Sequence, residues 1–536
     1  MRKQALWSLC VAASSCACLW AANWPTVAGN PQRDGWAQQD THLSPETASK
    51  IVLLYKHKFA AVKAMGLNSI TSTIDVATVI GYTGFHEFLW TGSASGTTYQ
   101  TDADLNYEFK TATTVPGKET VKASAPTVLC PGGVTAAPVL AGLSSTSRFG
   151  GGGGFGRLGL LWNIGEDGYI YTMRQQDSNN SWVPPAKLAP AGANVSALNI
   201  SAKDTFIAAT INGCNGTANG LYASTFTAPT IENEPDKPFK TQPKWTETVS
   251  FLTNGEGFAG AGGTAIDLKG EFVYGTAPTG KGDVAGGYSD TLLKLDAATL
   301  AVKDWFTPAS EPAFHPGDAG VTPAVFTEGG KEYILAGDRS GHVYLLDASA
   351  PGGSDHHSPL FASEALVKPG SGAGIFGHFA TAVDEKTKTR YVLASVHGPL
   401  ATTFPGSKGP ITHGAIVAFK FDASSGRAKL VPAWSSADML APVGPVSIGG
   451  LVAGLSSGLP NSLTNASGKL KTVAEVEKEA KPAKLTIFNL ASGSEVFNSG
   501  AAITSYANTP LAAANGHIYV TTHDNTLLQF GIPEER

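Results

Sequence analysis

The sequence predicts an all-β fold, an eight-bladed β-propeller whose ring is closed by an N-terminal strand. Three observations carry this. A turn-then-strand unit recurs eight times from end to end: Gly96–Asp102, Gly168–Met173, Gly220–Thr225, Asp290–Asp296, Gly341–Asp347, Gly414–Phe419, Ala483–Phe488 and Asn525–Phe530. A strand unit that cannot bury both of its faces alone, repeated many times, is the signature of a ring or solenoid. The composition agrees, with 62 Gly, 32 Pro and only 15% charged residues, which suits many short strands joined by tight turns. The two ends of the chain are also complementary: the eighth unit has three strands and then stops, while Ile51–Phe59 near the start is strand-like and lacks a partner. Adding the first strand to the last blade removes two exposed edges.

The clearest unit contains Asp338–Ser349, a turn of Asp-Arg-Ser-Gly followed by the alternating run His342–Leu346. Around it, Thr322–Phe326, Tyr333–Ala336 and Pro359–Phe361 read as the first, second and outer strands of one blade. The block Gly263–Thr307 repeats the pattern, with Val302–Phe306 as outer strand. The insertions Ser145–Gly156, Gly280–Tyr288 and Ser457–Lys481 read as long loops on one face of the ring. Within the last, Val473–Ala480 has the composition of a short exposed helix. Trp245, Trp305 and Trp434 fall in or near outer strands and are expected to pack blade against blade.

At the N-terminus, Arg2-Lys3, the apolar run Ala5–Trp20 and the small residues before Asn23 read as a secretory signal over residues 1–22. Residues 23–536 then form a single propeller domain. Cys16 and Cys18 raise a lipoprotein alternative, but no Leu stands at the expected place before either, and plain export to periplasm or exterior is the reading taken. No later apolar run reaches membrane-spanning length. Of five cysteines, Cys130 and Cys214 lie beyond the signal, and two cysteines in an exported chain are a natural disulfide pair. Net charge is −5 without a basic run, which argues against nucleic acid as a partner. There is no C-x-x-C-H for covalent haem and no zinc-type spacing. His378, His397 and His413 share one repeat and could converge on a metal, though their spacing matches no known ligand pattern. His356-His357 reads as a solvated pair.

The lead-in Asn23–Gly35, the eight units and the DRSGHVYLLDAS stretch resemble the pyrroloquinoline-quinone (PQQ) dehydrogenase-like propellers. The nearest resemblance is to secreted bacterial proteins with PQQ-binding-like propeller repeats. It implies the quinoprotein alcohol dehydrogenase-like architecture over nearly the whole chain. Such propellers include enzymes and non-catalytic scaffolds, so the site has to be read residue by residue. In the dehydrogenases an arginine of a D-R-x-G turn contacts the quinone, and Arg339 matches it here. Asp318, in Pro316-Gly-Asp-Ala-Gly320, offers the catalytic base, without the tryptophan that precedes it in the family. Lys281, in Thr279-Gly-Lys-Gly282, stands where a calcium-ligating asparagine is expected, and Gly213–Gly220 holds no carboxylate where a glutamate is expected. An ammonium ~4 Å from a divalent cation costs about 8 kcal/mol at an effective dielectric near 20, so the resemblance does not extend to calcium. PQQ, a tricarboxylate, could still be held by Lys281 and Arg339 without metal.

Two readings result. In one, the chain is a binding or scaffold module with a degenerate PQQ–calcium site, no resident cofactor, and a protein, glycan or small ligand on the propeller rim. In the other it is a PQQ-dependent alcohol or sugar oxidoreductase, with Asp318 as base and Arg339 on the quinone. For Arg339 and Asp318 the simpler alternatives are a turn arginine bridging blades and a turn aspartate.

Overall fold

The computed structural model describes residues 23–533 except 39, 60–65, 68, 82–83, 104–112, 115–120, 122–125, 141–159, 176–182, 230–240, 254, 256, 259, 278–290, 309–319, 369 and 371. The strands pair into eight separate sheets of four or five strands, each a blade of one ring. Five blades are built from consecutive strands, and two more add a parallel strand from elsewhere, Trp36–Ala37 beside Val446–Ile448 and Val321–Thr322 beside Gly374–Asp384. The eighth takes Val52–Lys58 as its outer strand, antiparallel to Thr526–Gly531, with Val52 opposite Gly531 and Lys58 opposite Thr526. The N-terminal strand therefore closes the ring. Among the described residues no helix is long and apolar enough to cross a membrane.

Each of the eight repeated units is the third strand of its blade: Thr97–Asp102, Tyr169–Arg174, Gly220–Thr227, Thr291–Asp296, Val343–Asp347, Gly414–Asp422, Lys484–Asn489 and Thr526–Gly531. The third strand lies inside its sheet and is buried on both faces, which is why these stretches are the most apolar and the easiest to read. The turn that follows has its own chemistry. Asp296, Asp347, Asp422 and Asn489 each accept hydrogen bonds from a main-chain N–H and a hydroxyl two or three residues on, reversing the chain toward the outer strand. One boundary differs from the sequence reading. Val321–Thr322 does not begin blade five but runs parallel to Gly374–Asp384 of blade six, and blade five starts at Ala324.

Aromatic side chains join the blades. Trp434 donates Nε1–H to the Leu490 carbonyl of the next blade at 2.8 Å and packs on Phe488. Trp245 lies against Trp162, Phe206 and Phe226 at the join of blades two and three. Trp305 stacks on His356, centroids 3.6 Å apart, and the His356 imidazole also meets Asp304 at 3.0 Å.

The lead-in segment does more than the sequence announces. Every blade presents the free edge of its innermost strand to the axis, and those amides need acceptors. Residues 24–40 cross the axis and meet all eight blades. Trp24 exchanges two main-chain bonds with Asp75 of blade one (2.9 and 3.0 Å), and the Pro25 carbonyl accepts from Leu140 of blade two at 2.9 Å. Pro31 accepts from Asn199 Nδ2 of blade three and from the Ile266 amide of blade four. Gln32, Asp34 and Gly35 accept in turn from Val325, Thr381 and Ser447 of blades five to seven. Asp40 Oδ2 accepts from Gly516 of blade eight at 2.7 Å. Gly35 has φ +62°, and a Cβ there would stand 2.7 Å from the Ala380 Cβ, so only glycine fits.

Arg33 fixes this plug. It is fully buried, with φ +58°, a strained conformation for a residue with a side chain. Its guanidinium donates to the Thr26 hydroxyl (2.6 Å) and to the carbonyls of Val27 (2.5 Å), Leu198 (3.0 Å) and Thr264 (3.2 Å). Burial pulls its pKa down to about 9, which leaves it charged at neutral pH. One side chain thus ties the plug to itself and to blades three and four. Arg33→Ala would strand several buried carbonyls, each worth ~1.5–3 kcal/mol when bonded to a charged group. Urea unfolding of this variant should show a loss of at least about 3 kcal/mol, and an unchanged midpoint would contradict the assignment.

The seam where blade eight meets blade one carries buried acids. Asp75 of blade one and Asp40 of the plug are buried, and Glu87 lies beside them, accepting from Asn515 Nδ2 at 2.6 Å and from the Tyr519 hydroxyl at 3.4 Å. His517 approaches Glu87 at 3.8 Å. Burial, and then the charge of Glu87, pushes the Asp75 carboxyl well above its ordinary range. Burial also pushes Glu87 up, but His517, Asp75 and Asn515 outweigh it and leave Glu87 lowered. Asp75 keeps its proton in the folded chain at a pH where the unfolded chain has lost it. Its contribution is therefore full below the ordinary aspartate range and is lost as pH rises, while that of Glu87 is lost on acidification. Asp75→Asn should flatten the fall in stability as pH rises above the ordinary aspartate range, read as urea midpoints across a pH series. Parallel curves for the variant and the parent would refute the assignment.

Candidate functional site

The segments that lead into the inner strands converge at one end of the axis and enclose a cavity of about 280 Å³. Blade one gives Ser69–Ser72, blade two Val134 and Thr135, blade three Asn194 and Ser196, and blade four Gly260 and Ala261. Gly320 stands just ahead of Val321–Thr322, and blades six to eight add Phe376 and His378, then Val443 and Gly444, then Asn508 and Thr509. Val27 of the plug lines it as well, so the segment that closes the axis also closes the inner end of the cavity. A concave, mostly apolar space with a few polar groups, on the axis of a ring, is the default binding site of such a fold.

Two features shape the mouth. The insertion 457–481 supplies Leu459, Asn461 and Leu463. It is held by the helix Val473–Glu479, whose Thr472 and Glu475 form a reciprocal capping box and whose Val476 is buried with Leu459, Leu463, Val128 and Tyr506. The other feature is the disulfide Cys130–Cys214, with Cα atoms 5.6 Å apart. It fastens the loop carrying Leu129, Pro131 and Gly132 to blade three, and the Leu129 carbonyl there accepts from Asn194 Nδ2 (2.8 Å) and Asn212 Nδ2 (3.1 Å). The bridge spans a sequence separation of 84, for which the chain-entropy argument gives about 4–5 kcal/mol. Replacing both cysteines by serine should lower the urea stability by a few kcal/mol. Stability equal to the parent's would show that the bridge does not hold the rim.

Among the described residues, no Asp, Glu, Lys or Arg side chain lines the cavity. The titratable side chains of the described lining are two imidazoles. His397 stacks on Phe376 with centroids 4.3 Å apart and lies 2.8 Å from the Pro442 carbonyl through Nε2. His378 is fully buried. Burial, opposed by a Pro445 backbone bond and helped by the charge of Arg33, pulls its pKa down to about 4, so the ring is neutral. Gly444 packs directly on it, since a Cβ there would lie 2.3 Å from Nδ1.

The residues singled out from the sequence fall in different places. Arg339 is buried in the turn before the third strand of blade five, and it is not among the cavity-lining residues. Its neighbour Asp338 organises the turn, accepting from the His342 amide (2.9 Å), the His342 ring (3.2 Å) and the Tyr344 hydroxyl (2.6 Å). Asp167 of blade two does the same for Tyr169 and Tyr171, so this part of the motif belongs to the repeat. The Asp338 carbonyl accepts from Ile375 of blade six, which joins the two blades. Asp318 and Lys281 lie outside the described residues, as do the insertions 145–156 and 280–288. Of the three histidines, His378 and His397 reach the cavity, while His413 is exposed and bound to Asp438 at 2.7 Å. Among the described residues no group of three or more His, Cys, Asp or Glu is placed to hold a metal ion.

The class is thus an eight-bladed propeller with an axial cavity, plugged at its inner end. No family model and no curated protein matches the sequence. Among solved structures the chain is similar to the quinohemoprotein alcohol dehydrogenase from Comamonas testosteroni, with a TM-score of 0.55, 11% identity, and 96% of this chain and 81% of that one covered. It is similar too to a quinohemoprotein alcohol dehydrogenase from Pseudomonas putida HK5 (0.53, 11%, covering 96% and 82%). A europium-containing methanol dehydrogenase matches at 0.52 and 12%, covering 95% and 98%. At such identities the likeness is one of fold.

Proposed function

We propose that the chain is an exported binding propeller whose axial cavity takes a small ligand without quinone redox chemistry, while its rim loops offer a surface to a partner. The observation that carries this is the lack of ionised side chains in the described lining. PQQ is a tricarboxylate and calcium takes several oxygen ligands, carboxylates among them. Burying such charges against apolar walls and carbonyls, without cations or carboxylates in place, costs far more than the contacts return. The described residues do not fit a quinone–calcium pair, and Arg339 serves its own turn in this reading. Export through residues 1–22 belongs to the same proposal and is supported by the disulfide, which suits an oxidising compartment.

One observation favours the alternative, a PQQ-dependent alcohol or sugar oxidoreductase. Gly320 lines the cavity, and Asp318, the aspartate named as base, precedes it by two residues in the sequence. Calorimetric titration of PQQ into the protein, with and without calcium, separates the two. The binding reading expects no heat of association in either case. Saturable PQQ binding that is lost in Arg339→Ala or requires calcium would replace it with the oxidoreductase.

A further inference from the structure

The binding reading leaves the ligand unnamed. The hydrogen bonding around the cavity narrows it, and any ligand class drawn from that bonding rests on the binding reading. Most polar side chains in the lining have turned their donors onto the protein's own carbonyls. Thr135 donates to Val195 (2.8 Å), Ser196 to Ala209 (3.2 Å) and Ser69 to the His523 carbonyl (2.5 Å). Asn194 and Asn212 donate to Leu129, and Asn461 to His413 (2.6 Å). What the hydroxyls still offer is lone pairs, since each has used its single proton, while each amide keeps an oxygen, of which Asn461 Oδ1 is buried without a bond, and its second N–H. Asn508 keeps both ends of its amide uncommitted among the described residues. The lining also holds aromatic rings, the stacked pair Phe376–His397 and, behind the surface, the fully buried Phe258.

We infer that the axial cavity is built for an uncharged aromatic molecule that donates hydrogen bonds, of the phenol or arylamine class. A donor on such a ligand meets oxygens with lone pairs to spare. An anion meets the same oxygens with the wrong sign and leaves its water behind uncompensated. The rings supply stacking area for the body of the molecule.

A matched pair of fluorescent probes tests this. N-phenyl-1-naphthylamine is neutral and carries one N–H donor; 8-anilinonaphthalene-1-sulfonate has the same ring skeleton with a sulfonate added. Titrated into the intact protein, the neutral probe should bind saturably, and the sulfonate should bind at least about tenfold more weakly. Ala261→Trp, from blade four, should abolish the saturable signal with the circular dichroism spectrum retained. Should that variant not fold, Asn508→Phe from blade eight, across the ring, is the substitute, because its half-buried side chain has room to change. Equal or tighter binding of the sulfonate, no binding of the neutral probe, or binding that survives the filled cavity each overturns the inference. These outcomes are distinct from failure of the binding reading, which is decided by PQQ itself in the calorimetric titration.

Discussion

The structure depends on how the eight inner strand edges are satisfied. A propeller hides its outer edges by making them short, and its blade faces by stacking them, but the inner edges all point at one axis. An unpaired buried amide costs about 1–3 kcal/mol, so an open axis has to be wet, filled or capped. Here the lead-in segment caps it, bonding to all eight blades between Trp24 and Asp40. Arg33 sits at the centre of that cap. Its charge is held by carbonyl dipoles and one hydroxyl, and its left-handed backbone is a strain that the four bonds outweigh. The same part of the chain then supplies Val52–Lys58 to close the ring. Cap and closing strand are successive pieces of one N-terminal arm, which couples completion of the axis to completion of the ring.

This arrangement separates charge from cavity. Arg33 in the plug and Asp40 and Asp75 at the seam are buried ionisable groups that fasten the scaffold, with the half-buried Glu87 beside them. Among the described residues the cavity is lined by neutral polar atoms and rings. Three solved structures of similar fold are alcohol and methanol dehydrogenases. The likeness lies in the ring, whereas function is decided by the few side chains that face the axis.

Much of the ring was legible in the sequence because its signals are local. The third strands are apolar on both faces and preceded by turn residues, so Asp290–Asp296 and Gly341–Asp347 stand out, and the unpartnered strand Ile51–Phe59 follows from counting strands in the last blade. Cys130 and Cys214 were legible as a pair because they are the two cysteines beyond the stretch that reads as an export signal. The plug was not legible: Asn23–Gly35 has no hydrophobic period, and it binds through main-chain carbonyls that any residue possesses. The cavity was not legible either, because no blade gives it more than a few residues. A weak trace exists in the small and hydroxylic residues before several inner strands, as in Thr135-Ala-Ala-Pro, Thr264-Ala-Ile, Thr322-Pro-Ala and Thr509-Pro-Leu. Resemblance drew attention to Arg339, yet its turn is explained by Asp338 and Tyr344, a pairing that blade two repeats with Asp167 and Tyr171.

The central claim, that one N-terminal segment caps the inner edges of the ring, is tested most directly by amide hydrogen exchange at the capped positions. Ile266, Val325, Thr381 and Ser447 donate to Pro31, Gln32, Asp34 and Gly35. With the cap in place these amides should exchange as slowly as those between the second and third strands of the same blades, opening only with global unfolding. Exchange at the rate of an exposed loop, with the blade interiors still protected, would mean that the axis is open and the account is wrong.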